Sequence, residues 1–198
     1  MIKEQIVNIF VEKIENQLKP VKYTNFSHYR MAKINKAIND SIKALNIQTE
    51  LLLQRVLKLT KPYIILENKH GKPYFKDINI NFNIAHSNEY LLLATSKEIV
   101  GIDIEKINEK HLKVAPKLFE DSDLVKYSNN INKIIEAWTI KEAYIKLYGM
   151  TMLIDLRKIK IIGDQIIGPY GDAYFQVYRH DDYFIAVATL KRAKIILN

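Results

Sequence analysis

The chain has no cysteine among its 198 residues, which excludes disulfides, thiolate nucleophiles and thiolate-bound zinc. It also lacks a long hydrophobic run. The longest, Tyr90 to Ala94 and Tyr183 to Ala188, are far too short to span a bilayer. The start, Met1-Ile2-Lys3-Glu4-Gln5, does not have the charged-then-apolar pattern of a signal peptide. A cytoplasmic location with no membrane partner is therefore expected. No Ser/His/Asp arrangement for nucleophilic catalysis stands out, and neither does a helix-turn-helix or an aromatic-rich strand motif of the RNA-recognition kind. Negative charge is scarce in the first part: residues 1–76 hold 14 Lys/Arg against 6 Asp/Glu, whereas residues 77–198 hold 16 of each. The whole net charge of +8 thus sits in the first part and favours polyanionic partners, although solvated surface lysine accounts for the same balance.

What is present is a globular composition, 48% apolar, long enough for one domain or two small lobes. Residues 1–18 show helix-like apolar spacing at Ile2, Ile6, Ile9, Phe10 and Ile14, stopped by Pro20. Residues 27–58 read as one or two helices with Ser27 as a cap. Strands are expected at 63–66, 90–95 and 99–105, with a turn at 68–73 between the first two. Residues 110–127 read as helical, Asn129-Asn130 leads into a long helix over 131–148, and strands return at 158–162, 173–178 and 183–190. His86 and Ala94-Thr95 recur 94 residues later as His180 and Ala188-Thr189, which suggests two similar α+β lobes unless the match is chance.

Two segments carry chemistry. In Gly101-Ile102-Asp103-Ile104-Glu105, an extended strand points Asp103 and Glu105 to one face, with Cα atoms about 6.5–7 Å apart. Ile102 and Ile104 take the other face. In Trp138–Gly149, Glu142 and Lys146 are i and i+4 and share a helix face. Three carboxylates beside a lysine suit a hard cation such as Mg²⁺ next to a phosphorylated ligand. The plainer alternatives are two solvent-facing acids on an edge strand and an ordinary surface Glu–Lys pair.

The pair G-I-D-I-E and W-x-x-K-E-A-x-x-K-x-x-G resembles the signature of the 4′-phosphopantetheinyl transferases, in particular the larger, monomeric type that activates carrier proteins. Gly71-Lys72-Pro73 and Phe82-Asn83-Ile84-Ala85-His86-Ser87 fall in the family's order, so the resemblance spans residues 71–149. It implies an α+β pseudo-dimer of two similar lobes, each a small, mostly antiparallel sheet packed with a long helix, and an active site between the lobes. The lobes are expected at residues 1–98, basic, and 99–198, carrying the metal ligands. The implied metal ligands are Asp103, Glu105 and Glu142 for Mg²⁺, with Lys146 facing phosphate. Lys141 is expected to pack or pair structurally.

The resemblance also implies coenzyme A as co-substrate, contacted by His86 and Ser87, by Lys72 at the nucleotide end, and by basic residues of the first lobe. Arg30, Lys33 and Lys36 form one stripe there, for coenzyme A or for docking an acidic carrier, or simply a solvated face. Several positions depart from the family pattern. Ala85 replaces a serine, and Asn46 stands where an arginine is usual, leaving Lys43 as a possible substitute for the 3′-phosphate contact. Asp123 falls at the place of a glutamate proposed as general base, and Gly149-Met150-Thr151 replaces G-K-G.

The implied activity is Mg²⁺-dependent transfer of the phosphopantetheine arm to a serine of an apo acyl or peptidyl carrier protein, releasing adenosine 3′,5′-bisphosphate. The protein's partners would be coenzyme A and the carrier, with no nucleic acid. A degenerate member that binds coenzyme A without turnover, and a non-enzymatic RNA-binding protein, are the alternatives.

Overall fold

The computed structural model describes residues 4–15, 21–23, 25–120, 123–124, 127 and 129–198. The first strand, β1 (Gln5–Lys13), replaces the helix read from residues 1–18. The ends of that segment, residues 1–3 and 16–18, and its stop at Pro20 lie outside the described residues. Both faces of β1 are apolar because both are covered: Val7 and Ile9 are fully buried on one side, and Phe10 and Ile14 pack on the other. A strand covered twice loses the period-two signal and mimics helical spacing.

Two helices follow, α1 (His28–Asn35) and α2 (Asp40–Leu57). Ser27 caps α1, its hydroxyl accepting from Arg30 N at 3.2 Å. A small ribbon of β2 (Ile65–Glu67) and β3 (Pro73–Phe75) leads into β4 (Asn81–Ser87) and β5 (Tyr90–Ser96). The candidate motif lies on β6 (Val100–Lys106). After a 3₁₀ turn at Glu109–Val114 and a short helix, α3 (Ala115–Leu118), the long helix α4 runs from Ile131 to Tyr148. Its start is capped by Asn130, whose side chain accepts from Lys133 N, and its end by Gly149 at φ 61°. Strands β7 (Lys160–Ile162), β8 (Gln165–Ile167), β9 (Ala173–His180), β10 (Tyr183–Thr189) and β11 (Ala193–Leu197) complete the chain.

The first sheet has the order β11-β1-β5-β4 and the second β6-β10-β9-β8-β7. Strand β1 is antiparallel to β5, as β6 is to β10, and each of β5 and β10 forms a hairpin with the strand before it. The sheets stack face to face over Val7, Ile9, Leu92, Ile102, Ile104, Ile185 and Val187. Helix α2 covers the outer side of the first sheet through Leu52 and Leu53. Helix α4 covers the outer side of the second through Ile140, Ala143, Tyr144 and Leu147. The fold is thus α+β, with helix, sheet, sheet and helix in layers.

The two hairpins turn at equivalent pairs, Ser87 with Tyr90 and His180 with Tyr183, which are 93 residues apart. That spacing is one residue shorter than the offset of 94 between the sequence matches. His86 precedes the pair that closes its hairpin, whereas His180 belongs to the closing pair. His86 is also the penultimate residue of β4.

Candidate active site

Ile102 and Ile104 are fully buried between the sheets, so Asp103 and Glu105 turn toward α4. Close approach of strand and helix depends on Gly101. A Cβ there would lie 2.0 Å from the Ala143 carbonyl oxygen and 2.4 Å from Leu147 N. With only a hydrogen at Gly101, the strand lies against the last turns of α4, and Lys146 Nζ donates to Asp103 Oδ1 at 2.5 Å.

On its other edge β6 is joined to β4 by side chains. Asn83 Oδ1 accepts from Ile102 N at 2.8 Å, and Ser87 Oγ accepts from Lys106 N at 3.4 Å. The spacing of four residues is the same on both strands, so β4 runs alongside β6 and brings His86 and Ser87 to the acids. Ser87 Oγ donates to Glu105 Oε2 at 3.3 Å, and Trp138 Nε1 donates to Glu105 Oε1 at 3.2 Å.

The electrostatics follow from this crowding. Burial pushes Asp103 up to about 6 in spite of Lys146, and burial with the Asp103 charge pushes Glu142 up to about 7. Burial works against the Lys146 ammonium, but Asp103, Glu142 and Glu105 outweigh it and hold Lys146 above its ordinary value. Burial and Lys146 together lower the His86 imidazole, against the pull of Glu105.

The excess of negative charge leaves room for a cation. Asp103 Oδ2 is buried and has no hydrogen-bond partner among the described residues, an acceptor that a hard cation would satisfy. Among the described residues no three acidic or histidine side chains are already gathered as a metal-binding group. The rotamers are those of a lysine-paired state, in which the Lys146 ammonium takes one Asp103 oxygen. The donor set of Asp103, Glu105 and Glu142 fits Mg²⁺: all oxygen, mutually repelling and partly desolvated.

The remaining residues singled out in the sequence lie elsewhere. Lys72 Nζ donates to Val100 O and Leu147 O, both at 3.0 Å, rather than to an acid. Lys141 is buried on Leu118 O and Leu156 O, a structural position as expected. Asp123 is exposed at the rim of a cavity of about 540 Å³ lined also by Phe119, Lys133, Lys141 and Lys160. The lysine it influences is Lys141, and it does not join the acids of β6 and α4. Its neighbours Asp121 and Ser122 in the family-like segment lie outside the described residues.

Lys33 on α1 and Lys36 at its C-cap are exposed, with Lys33 Nζ 3.3 Å from Glu67 and over the Tyr29 ring. Arg30 does not share that face. It is buried, paired with the fully buried Glu50 at 3.3 Å and donating to Asn46 Oδ1 at 2.9 Å. Asn46 thus faces the buried arginine, while Lys43 is exposed.

Trp138, Asn83 and Asn68 were not assigned to the site from sequence. A signal for Asn83 was available: it is a polar residue flanked by Phe82, Ile84 and Ala85, where a buried amide needs a partner.

A strand D-x-E faces a helix E-x-x-x-K, with a histidine and a hydroxyl beside them, a chemistry that a divalent cation and a phosphorylated ligand would suit. Residues 99–188 match the family model of the 4′-phosphopantetheinyl transferase superfamily. The chain is 36% identical over 129 residues to the 4′-phosphopantetheinyl transferase gsp of Aneurinibacillus migulanus, covering 63% of this chain and 49% of that protein. It is 30% identical over 126 residues to the 4′-phosphopantetheinyl transferase Sfp of Bacillus subtilis strain 168, covering 57% and 56%. Over 157 residues it is 27% identical to the human L-aminoadipate-semialdehyde dehydrogenase-phosphopantetheinyl transferase, covering 71% and 47%. The chain is thus similar to the 4′-phosphopantetheinyl transferase superfamily, with the family-model match over residues 99–188. It spans about half the length of the curated relatives it matches.

Proposed function

We propose that this protein transfers the 4′-phosphopantetheine arm of coenzyme A to a serine of an apo acyl or peptidyl carrier protein and releases adenosine 3′,5′-bisphosphate. The observation that carries this reading is the orphaned Asp103 oxygen beside Glu105, Glu142 and Lys146. Asp103, Glu105 and Glu142 would hold Mg²⁺, which when bound supplies charge neutralisation at the pyrophosphate. Lys146 presents its ammonium to the phosphoryl group being transferred. Neutral His86 and the Ser87 hydroxyl supply hydrogen bonds to phosphate oxygens, and Trp138 steadies Glu105. The carrier serine oxygen forms a bond to the β-phosphorus as the pyrophosphate bridge breaks. The serine proton passes to Asp123 or to a water ordered by Glu142.

The two-lobe reading belongs to the same proposal: lobes at 1–98 and 99–198 form a pseudo-dimer, with the active site between them. In its support, β4 of the first sheet supplies His86 and Ser87, while β6 and α4 supply the acids and Lys146. Both sheets also share the β1-β5-β4 and β6-β10-β9 pattern, each backed by one 18-residue helix. Exposed Lys33 and Lys36 would meet coenzyme A phosphate or an acidic carrier. We further propose a cytoplasmic monomer that acts without nucleic acid. No helix among the described residues is long and apolar enough to cross a membrane.

The test is direct. The protein is mixed with coenzyme A, Mg²⁺ and a panel of apo carrier proteins, and intact mass spectrometry looks for the attached arm. Asp103→Ala is expected to keep its circular dichroism spectrum and to lose transfer. Unmodified carriers throughout, or near wild-type transfer by folded Asp103→Ala, would overturn the reading.

A further inference from the structure

The loop between β2 and β3 reaches across to the end of α4. Asn68 Nδ2 donates to Gly149 O at 2.8 Å, and Lys72 Nζ donates to Leu147 O and Val100 O. Asn68 Oδ1 in turn accepts from His70 N and Lys72 N, both at 2.9 Å, so one side chain shapes the loop that aims the lysine. The contacts are close on the far side too. A Cβ at Gly149 would lie 2.6 Å from Asn68 Nδ2 and 2.9 Å from Lys72 Cδ.

The chemistry of these groups favours the arrangement. The last carbonyls of a helix have no partner within the helix and carry partial negative charge, so a cation at that end is favourable. Lys72 satisfies one such carbonyl and, with the same ammonium, the first residue of β6. Val100 and Leu147 belong to the two elements that carry the candidate site: Val100 is three residues before Asp103 on β6, and Leu147 directly follows Lys146 on α4. Burial lowers the amine to about 8.

We propose that Asn68 and Lys72 form a clamp that fixes α4 against β6, and that Lys72 is a positioning residue for Asp103, Glu142 and Lys146 instead of a ligand of coenzyme A. The inference rests on the proposed transferase reading for its kinetic arm alone. A phosphate ligand needs its ammonium turned to solvent or substrate, whereas this one faces two main-chain carbonyls of different elements. The clamp also explains why the loop belongs to the first half of the chain and its targets to the second: it ties the end of α4 to a part of the fold that α4 does not otherwise organise.

The test uses Lys72→Met and, separately, Asn68→Ala, each with three readouts on the intact protein. Coenzyme A binding is measured by calorimetry without divalent cation, and both variants should stay within about twofold of wild type. Hydrogen exchange should accelerate by about tenfold or more in peptides covering 100–103 and 145–150, and not in α2. In the transfer assay kcat should fall while the KM for coenzyme A holds. Tenfold weaker coenzyme A binding by Lys72→Met, or unchanged exchange in both variants, overturns the clamp. If the wild type neither binds coenzyme A nor modifies a carrier, the functional reading fails alone, and the exchange measurement still decides the clamp. Should Lys72→Met not fold, Asn68→Ala carries the same three comparisons.

Discussion

Tyr90 and Tyr183 meet edge to face, with ring centroids 5.0 Å apart, and each is the first residue after the turn of its own hairpin. Tyr90 also donates from its hydroxyl to Asp181 Oδ2 at 2.9 Å, in the turn of the other hairpin. Residues that occupy equivalent places in two halves of a chain touch one another only near a local symmetry axis. The contact therefore supports the proposed two-lobe arrangement more directly than the sequence offset does. It also ties the turn that follows Ser87 to the strand that pairs with β6.

Gly101→Ala is expected to be the most disruptive single-atom change in the site. The added methyl has main-chain atoms of α4 in its way, which cannot rotate aside, so either strand or helix must move. A loss of roughly 1–3 kcal/mol or more is expected in urea denaturation, together with loss of the Mg²⁺ response. Stability equal to wild type would show that α4 can slide on β6.

The basic face of α1 separates into two kinds of residue. Arg30→Ala leaves Glu50 buried without its cation and should cost about 3–5 kcal/mol of stability. Lys33→Glu with Lys36→Glu should leave stability nearly unchanged and raise the KM for coenzyme A or for the carrier. Added salt should weaken the wild type in the same way. A salt-insensitive KM in both proteins would make that face a merely solvated one.

Asp123 is decided by its amide. If it takes the serine proton, Asp123→Asn should lower kcat by roughly 10²–10⁴-fold with coenzyme A affinity unchanged. Asp123→Glu should then retain or improve the rate. A drop of less than about threefold, below the range for losing a general base, gives the role to the water ordered by Glu142. The exposed position of Asp123 beside Lys141, apart from the other acids, makes this the sharper of the two tests of mechanism.

Stability should rise with pH between about 8 and 10. Burial lowers both Lys72 and Lys141 to about 8, below the value near 10.4 of an unfolded lysine. Over that interval the unfolded chain binds more protons than the folded one, so raising the pH favours folding. Above it the sign reverses, because buried Tyr144, pushed up to about 12, ionises later in the folded state than in the unfolded one. Urea midpoints at pH 7.5, 8.5 and 9.5, converted by the linear slope, check this. Lys141→Met should flatten the rise, and a wild-type midpoint that falls across these values would contradict the assignment.

Much of this was legible in the chain, and the exceptions have physical reasons. The face shared by Asp103 and Glu105 followed from strand geometry, and α4 matches its expected bounds because Asn130 and Gly149 are unambiguous caps. The strand β1 was read as a helix because a sheet covered on both sides hides its alternation. Arg30 reads as part of one stripe with Lys33 and Lys36 because Glu50, its partner, lies 20 residues away on another helix. Lys72 stood in a motif whose sequence says nothing about which carbonyls its amine will find. Strands β8 and β11, three and five residues long, are too short to carry a pattern of their own.

The last of these has a consequence for how the chain is assembled. Strand β11 pairs in parallel with β1, and Asn198 N donates to Ile9 O at 2.8 Å. Strand β1 precedes β11 in the chain and waits for residues 193–197 before one of its edges is covered. Until then β1 exposes a row of unpaired amides and carbonyls beside apolar side chains, a template for pairing with another chain. Strand β11 is thus the cover that keeps this edge of β1 from pairing with another chain.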